Sequence, residues 1–450
     1  MFTEPREVWI EKGKIVKINL ISDRAKATQA KPLIAKPGSP GETVQYVLPG
    51  FCDAGVTLGV NAWGGPATPD SLKISLQSLA IHGFTNVQTL GDGKWTAEAL
   101  KNLQNGKYKG AWIHPADPPI LPTGNISVNN STYQMVGSNA ELESVLERSQ
   151  NKKIHFYHRY TGKYIPDLRF LYSLRSKYKE NDSWILHTFG EPQASREALA
   201  AGWKILFHPI HAEVPRYQLE EVVWAPMYSV YYSQTLMQPE KWAAEVEKYK
   251  SQSPFFTLSY SEVSKNLPQS FQRSELEINE INKQWELYTK EFRDRNFLRT
   301  RLLFASGTGY PLVYPGVGGW KEIQIWERIF GEWDNSISNS ESSKSKRSGQ
   351  KEPGFWESLI SGWKFGKVEP EEIAKPIPEP KKKRGFPLEI LDSLTRRTCG
   401  FIGAGHRGEI LVGNEANLIL YDTNPLDSPD SLFQISSVYV RGVRINGEKK

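Results

Sequence analysis

The chain of 450 residues has only two cysteines, Cys52 and Cys399, and neither lies in a CxxC or other ligand-spaced cluster. A disulfide framework is therefore not expected, and a reducing compartment is the simpler reading. Long apolar runs are missing too. The opening stretch MFTEPREVWIEKGKIVKINL mixes apolar and charged residues from the start, which suits neither a signal peptide nor a membrane span. The expectation is a cytoplasmic protein that does not engage a membrane. A basic folded surface is also lacking. Net charge is +6, but residues 335–385 carry 11 Lys and Arg against 7 Asp and Glu, so +4 of it sits in that segment. The rest is nearly neutral, which argues against a nucleic-acid partner. The run Lys381–Arg384 reads as a solvated linker, with phosphate or an acidic partner as the alternative.

What is present is 39% hydrophobic residues, enough for one large core or two ordinary ones. Both ends of the chain read as β. EVWIEKGKIVKINLI alternates polar and apolar residues around Gly13, while GEILVGNEANLILYDTNPL and ISSVYVRGVRINGE are strand patterns broken by Gly, Asn and Pro. From Pro69 the pattern becomes helical: Leu72, Leu76, Leu79 and Ala80 share a face that Gly83 closes, and the apolar strand FTNVQTLG follows. Similar helix-strand units recur up to RLLFASGTG, and their number favours a closed (β/α)8 barrel over an open sheet. Residues 335–385 break the pattern, being rich in Ser, Lys, Pro and charge, and read as a disordered insertion. Within it, Phe355–Phe365 reads as a short helix docked on the barrel, or else as a partner-binding peptide.

Six stretches together resemble the amidohydrolase superfamily, in its imidazolonepropionase-like and prolidase-like branch. They are GKIVKI, VLPGFCDAGVTLG, HGFTNVQTLGDG, ALAAGWKILFH, LFASGTG and GEILVGNEANLILYDTNPL, in that order along the chain. The resemblance implies a distorted TIM (β/α)8 barrel over 50–404, containing the insertion 335–385. A small β-sandwich composite domain would come from 1–49 and 405–450. It also implies one or two divalent metals, usually zinc, held at the C-terminal ends of the strands. Such a metal lowers the pKa of a bound water to about 7 and supplies hydroxide for attack on a C–N or ester bond.

Carried over residue by residue, the resemblance is incomplete. The strand-one histidine pair falls on Gly55 and Thr57, and the strand-eight aspartate on Gly309. None of these is a useful zinc ligand. The strand-four lysine falls on His155, the strand-five histidine on His187 and the strand-six histidine on His208. Two-metal hydrolysis is therefore expected to be lost, leaving a pseudoenzyme with a binding or assembly role and no resident cofactor. The alternative is a mononuclear zinc hydrolase of amide or other non-peptide C–N bonds using His155, His187 and His208, with Asp53, His158, His211 or Glu213 as the base. A third reading is an interaction scaffold working through 335–385. Expected partners are a small molecule in the barrel mouth or a protein, with a homo-oligomer left open. Among the remaining residues, Cys52 reads as a buried strand cysteine. His82 reads as a helix-end residue explained by the helix dipole, and His114 and His406 as surface residues.

Overall fold

The computed structural model describes residues 6–20, 46–60, 67–90, 94–122, 134–149, 153–158, 166–177, 183–210, 214–252, 267–342 and 386–445. The segments Phe355–Phe365 and Lys381–Arg384 lie outside them, as do His211 and Glu213. The helix Val317–Ser342 runs into the start of the expected insertion.

Both chain ends build one β unit. β1 (Arg6–Glu11) and β2 (Lys14–Leu20) form an antiparallel pair. β3 (Tyr46–Pro49) joins three strands from the other end of the chain, β13 (Leu418–Tyr421), β14 (Ile435–Val440) and β15 (Val443–Arg444), in the order β15-β14-β13-β3. Leu418, Leu420 and Tyr439 pack with Ile10 and Val47, so the two sheets share a small apolar core. Gly50 then carries the chain straight into the barrel. A Cβ there would lie 2.1 Å from Thr85 Oγ1, so only glycine fits.

The barrel strands are parallel. β4 (Phe51–Val56), β5 (Phe84–Thr89) and β6 (Trp112–His114) form one sheet. β7 (Ile120–Pro122), β8 (Gln134–Val136), β9 (Lys153–Tyr157), β10 (Ser183–His187), β11 (Ile205–Phe207) and β12 (Val223–Ala225) form another, in the order β12-β11-β10-β9-β7-β8. The ring is closed by residues 302–308, where Leu303 N–H donates to Trp224 O (2.8 Å), Ala54 N–H to Phe304 O (2.9 Å) and Thr57 N–H to Thr308 O (2.7 Å).

This closing segment, expected as the eighth strand, is irregular for a physical reason. Its alternate N–H groups bond to side chains: Phe304 to Thr398 Oγ1 (2.8 Å), Ser306 to Asp53 Oδ1 (3.0 Å) and Thr308 to Ser306 Oγ (3.1 Å). Gly307 and Gly309 take positive φ, +66° and +96°, and bend it further.

The helices start where the sequence supplies caps. Thr68 and Ser71 form a reciprocal capping box at 3.1 and 2.7 Å before helix Pro69–Ile81, and Ser274 with Glu277 does the same for helix Glu275–Asp294. The expected face of the first helix, Leu72, Leu76, Leu79 and Ala80, is buried. Strand alternation divides the rest. In β10, Trp184 and Leu186 join the core between barrel and helices, while Ile185 joins the barrel interior with Ala54, Phe207, Met227 and Ala305.

The two cysteines correct the expectation from their spacing. Cys52 on β4 and Cys399, in the short helix Thr398–Phe401, form a disulfide with Cα atoms 5.2 Å apart across 347 residues of sequence. Only the return of the chain beneath the barrel brings them together. The argument for a reducing compartment therefore loses its basis. No helix among the described residues is long and apolar enough to cross a membrane.

Two other histidines differ from expectation as well. His82 is fully buried and its pKa falls to about 4, chiefly through burial, so it caps the helix as a neutral ring donating from Nδ1 to Ser78 O (2.7 Å). A charge-dipole interaction does not account for it. His114 is partly buried and accepts from Arg407 Nη1 (3.0 Å), whereas His406 is exposed as expected.

Candidate functional site

At the strand-one and strand-eight end of the mouth, the positions without ligands are closed by packing. A Cβ on Gly55 would lie 2.9 Å from Ala305 Cβ and 3.6 Å from Met227 Cε. On Gly309, at φ +96°, it would lie 2.2 Å from the backbone oxygen of Thr57. No larger side chain can replace either glycine without moving backbone. Asp53 beside them is fully buried, and its Oδ1 accepts from Gly55 N–H (2.9 Å) and Ser306 N–H (3.0 Å), tying strand one to the closing segment. Burial raises its pKa to about 6, against the lowering effect of those hydrogen bonds.

Strands four to six differ. His155, His187 and His208 are all buried and come from the adjacent strands β9, β10 and β11, His208 immediately following β11. His155 Nδ1 lies 2.9 Å from His187 Nε2, His187 Nδ1 lies 3.1 Å from His208 Nε2, and His208 Nδ1 lies 3.0 Å from the Tyr231 hydroxyl. The register explains the order. His155 pairs with Ile185, two residues below His187, and Phe207 pairs with His187, so His208 stands one residue above it. Two residues of strand are about 6–7 Å. The four side chains thus climb from inside the barrel to its mouth.

This is a relay, and it runs in one of two directions. In one, the Tyr231 hydroxyl donates to His208, His208 Nε2–H donates to His187, and His187 Nε2–H donates to His155. In the other, every bond reverses. His187 and His208 each spend one nitrogen as donor and one as acceptor and so are neutral, while His155 joins the relay through Nδ1 alone. The electrostatics agree. Burial, then the charge of Lys153, lowers the His155 pKa to about 3, and burial, then its two histidine neighbours, holds His187 well below the usual range. His155 Nε2, at the inner end, is buried without a hydrogen-bond partner.

Local backbone makes the relay reachable. Alternation would turn His208 away from the interior that Phe207 faces, but His208 takes φ +75° and turns back toward His187. Its N–H donates to Ala225 O (2.9 Å) and its carbonyl accepts from Trp224 Nε1 (2.8 Å), which pins the strained conformation. Phe189 and Met227, beyond the neighbouring strands, also have positive φ, +53° each. Such residues cost about 1–3 kcal/mol apiece and gather where the surrounding structure fixes a site. His158 stays out of the relay. Its ring is buried, which lowers its pKa, and the charge it feels is that of Glu197 in helix Pro192–Ala200.

The outer end opens into a cleft of about 430 Å³ walled by Phe189, His208, Tyr231, Trp285, Tyr288 and Tyr310. Phe189 stacks on His208 at 4.5 Å, and Tyr231 meets Tyr288 edge-on at 4.8 Å. Helix Tyr228–Gln234, which carries Tyr231, is held at its start by Glu322. That buried carboxylate accepts from Tyr228 N–H (2.9 Å), Ser229 N–H (2.5 Å) and Trp326 Nε1 (2.7 Å), and burial pushes its pKa up to about 7. Sequence reading missed the aromatic wall. Its signals were the dense YSVYYSQ and QWELY stretches, which periodicity alone assigns to helix packing.

No family model matches the chain, and neither does any curated protein sequence. Solved structures do match. A Xaa-Pro dipeptidase with bound methionine in its active site aligns at 15% identity over 97% of this chain and 94% of that one, TM-score 0.58. The ochratoxinase of A. niger aligns at 13% identity over 98% and 91%, TM-score 0.57. Bottromycin amidohydrolase aligns at 16% identity over 99% and 84%, TM-score 0.57. The fold is that of the amidohydrolases.

The residues present do not fit the two-metal centre that the amidohydrolase fold implies. Gly55 and Gly309 offer no ligand and no room for one. The three histidines, as arranged, do not converge on a point either, because His187 aims one nitrogen at each neighbour. Among the described residues, no group of three or more His, Cys, Asp or Glu side chains is placed to hold a metal ion.

Proposed function

We propose that this protein uses the amidohydrolase fold for binding a small molecule at the barrel mouth and does not carry out two-metal hydrolysis. The observation that carries the reading is the closure of strands one and eight: the missing ligands at Gly55 and Gly309 leave no vacant pocket, since backbone and apolar side chains occupy the space a ligand side chain would need. A recently emptied metal site would keep its room. The aromatic cleft beside it has the volume and lining of a small-molecule site, which are typically about 300–1,000 Å³ and mostly apolar with a few placed polar groups. Tyr231, backed by the relay, is the polar group at its floor, able to donate to or accept from a ligand.

The test is zinc content of protein purified without chelator, together with calorimetric zinc titration of the same protein and of His155→Ala, His187→Ala and His208→Ala. No stoichiometric zinc is expected in any of them. One zinc per chain, lost in each variant and accompanied by hydrolysis of an amide substrate, would overturn the reading in favour of the mononuclear hydrolase.

A further inference from the structure

The cleft's charge and its rings narrow the ligand. Besides the aromatic wall, its lining includes Glu280, Gln234 and Gln284, and among the described residues no lysine or arginine lines it. Glu280 pairs with Lys283 at 2.7 Å, but both side chains are about two-thirds exposed, 64% and 67%, and a pair so exposed contributes little and gives way readily. A second carboxylate is near. The phenol of Tyr288 is pushed up to about 12, mainly by burial, with the charge of Glu191 adding to the effect. The floor adds no positive charge, because His187 and His208 are neutral by their hydrogen bonding and burial lowers the His155 pKa to about 3. An anion would therefore meet the Glu280 carboxylate and the aromatic rings, with no lysine or arginine among the described lining residues to pair with. A cation meets favourable partners on both counts.

Resting on the small-molecule reading above, we infer that the cleft takes a compact organic cation of the quaternary or tertiary ammonium class, its charge lying against the rings of Tyr231, Trp285, Tyr288 and Tyr310 and facing Glu280 at the rim. Tetrahedral alkylammonium groups suit such a site because they are weakly hydrated and present C–H surface to aromatic faces while keeping a full charge. A hydroxyl or other polar tail would reach Tyr231, whose donor or acceptor sense the relay can reverse.

The experiment titrates the full-length protein with choline and, separately, with 3,3-dimethylbutan-1-ol, which has the same shape without the charge. Choline is expected to bind at least about 5-fold more tightly. Glu280→Gln, on an exposed helix position, should weaken choline about 2-fold or more while leaving the circular dichroism spectrum unchanged. Gln234→Trp, which fills the cleft, should abolish binding. Equal affinity for the two probes, or no binding of choline, overturns the inference. A parallel panel of neutral and carboxylate-bearing small aromatics separates the two levels. A panel member that binds wild type but not Gln234→Trp leaves the small-molecule reading standing without the cation, whereas a panel in which no probe is blocked by Gln234→Trp removes both.

Discussion

The two halves of the barrel mouth depart from the expected metal ligands in different ways. At strands one and eight, two of the expected ligand positions are glycines with no room for a side chain, since a Cβ on Gly55 would meet Ala305 and one on Gly309 the backbone of Thr57. At strands four to six the positions hold histidines, and their hydrogen-bonding capacity is directed at one another and at Tyr231. The difference follows from what each residue leaves behind. A glycine leaves only volume, which a close-packed interior fills. A buried imidazole must be paired or it costs free energy, so three of them on neighbouring strands settle into a chain.

The comparison breaks most sharply if the packed half can be reopened. Gly309→Asp places a Cβ about 2 Å from a backbone oxygen at a φ that L side chains rarely adopt. It is expected to cost about 4 kcal/mol or more, or to prevent folding, as read by chemical denaturation. A variant as stable as wild type that binds zinc would show that the half is merely vacant.

The next effect falls on the relay. His187→Phe keeps a planar ring but strands His155 Nδ1 and His208 Nε2 at once, and should cost about 2–4 kcal/mol. His155→Phe, at the end of the chain, breaks one bond and should cost less. Equal costs would mean that the relay is not a chain.

The smallest effect concerns pH, and its sign differs between the halves. Asp53 has a folded pKa raised from 3.8 to about 6. Its contribution to stability is therefore fully present below about pH 4 and lost as pH rises through 6. Asp53→Asn keeps the oxygen that accepts from Gly55 and Ser306, so its stability relative to wild type should rise by about 2 kcal/mol between pH 4 and 7. His155 behaves oppositely. Its pKa is lowered from 6.5 to about 3, so its contribution is present above 6.5 and lost as pH falls through the folded value. Denaturation curves of the two single variants against pH should diverge in opposite directions.

Much of this was legible in the residues. The apolar face of Leu72, Leu76 and Leu79, the recurring helix-strand units and the ordered motif stretches pointed to the barrel and its β unit, because periodicity is a local property of a chain. The resemblance also placed His155, His187 and His208 on three successive barrel strands, and they stand on or directly after β9, β10 and β11. The aromatic wall was not. Tyr231, Trp285 and Tyr288 sit on helices that also carry Tyr228 and Phe292, and all five rings belong to or pack against one core, so nothing in their spacing marks the three that also line the cleft.

The sequence by itself determined which atoms are available: no ligand at Gly55 or Gly309, three imidazoles, two thiols, a strand rhythm. Only the tertiary structure decided what they do. It joined Cys52 to Cys399 because the chain returns beneath the barrel. It turned the histidines into a relay and not a tripod, because register sets them at three heights and the left-handed backbone at His208 aims the last ring back at its neighbour. Such outcomes depend on distances between residues far apart along the chain, and those are set by the packing of the whole molecule.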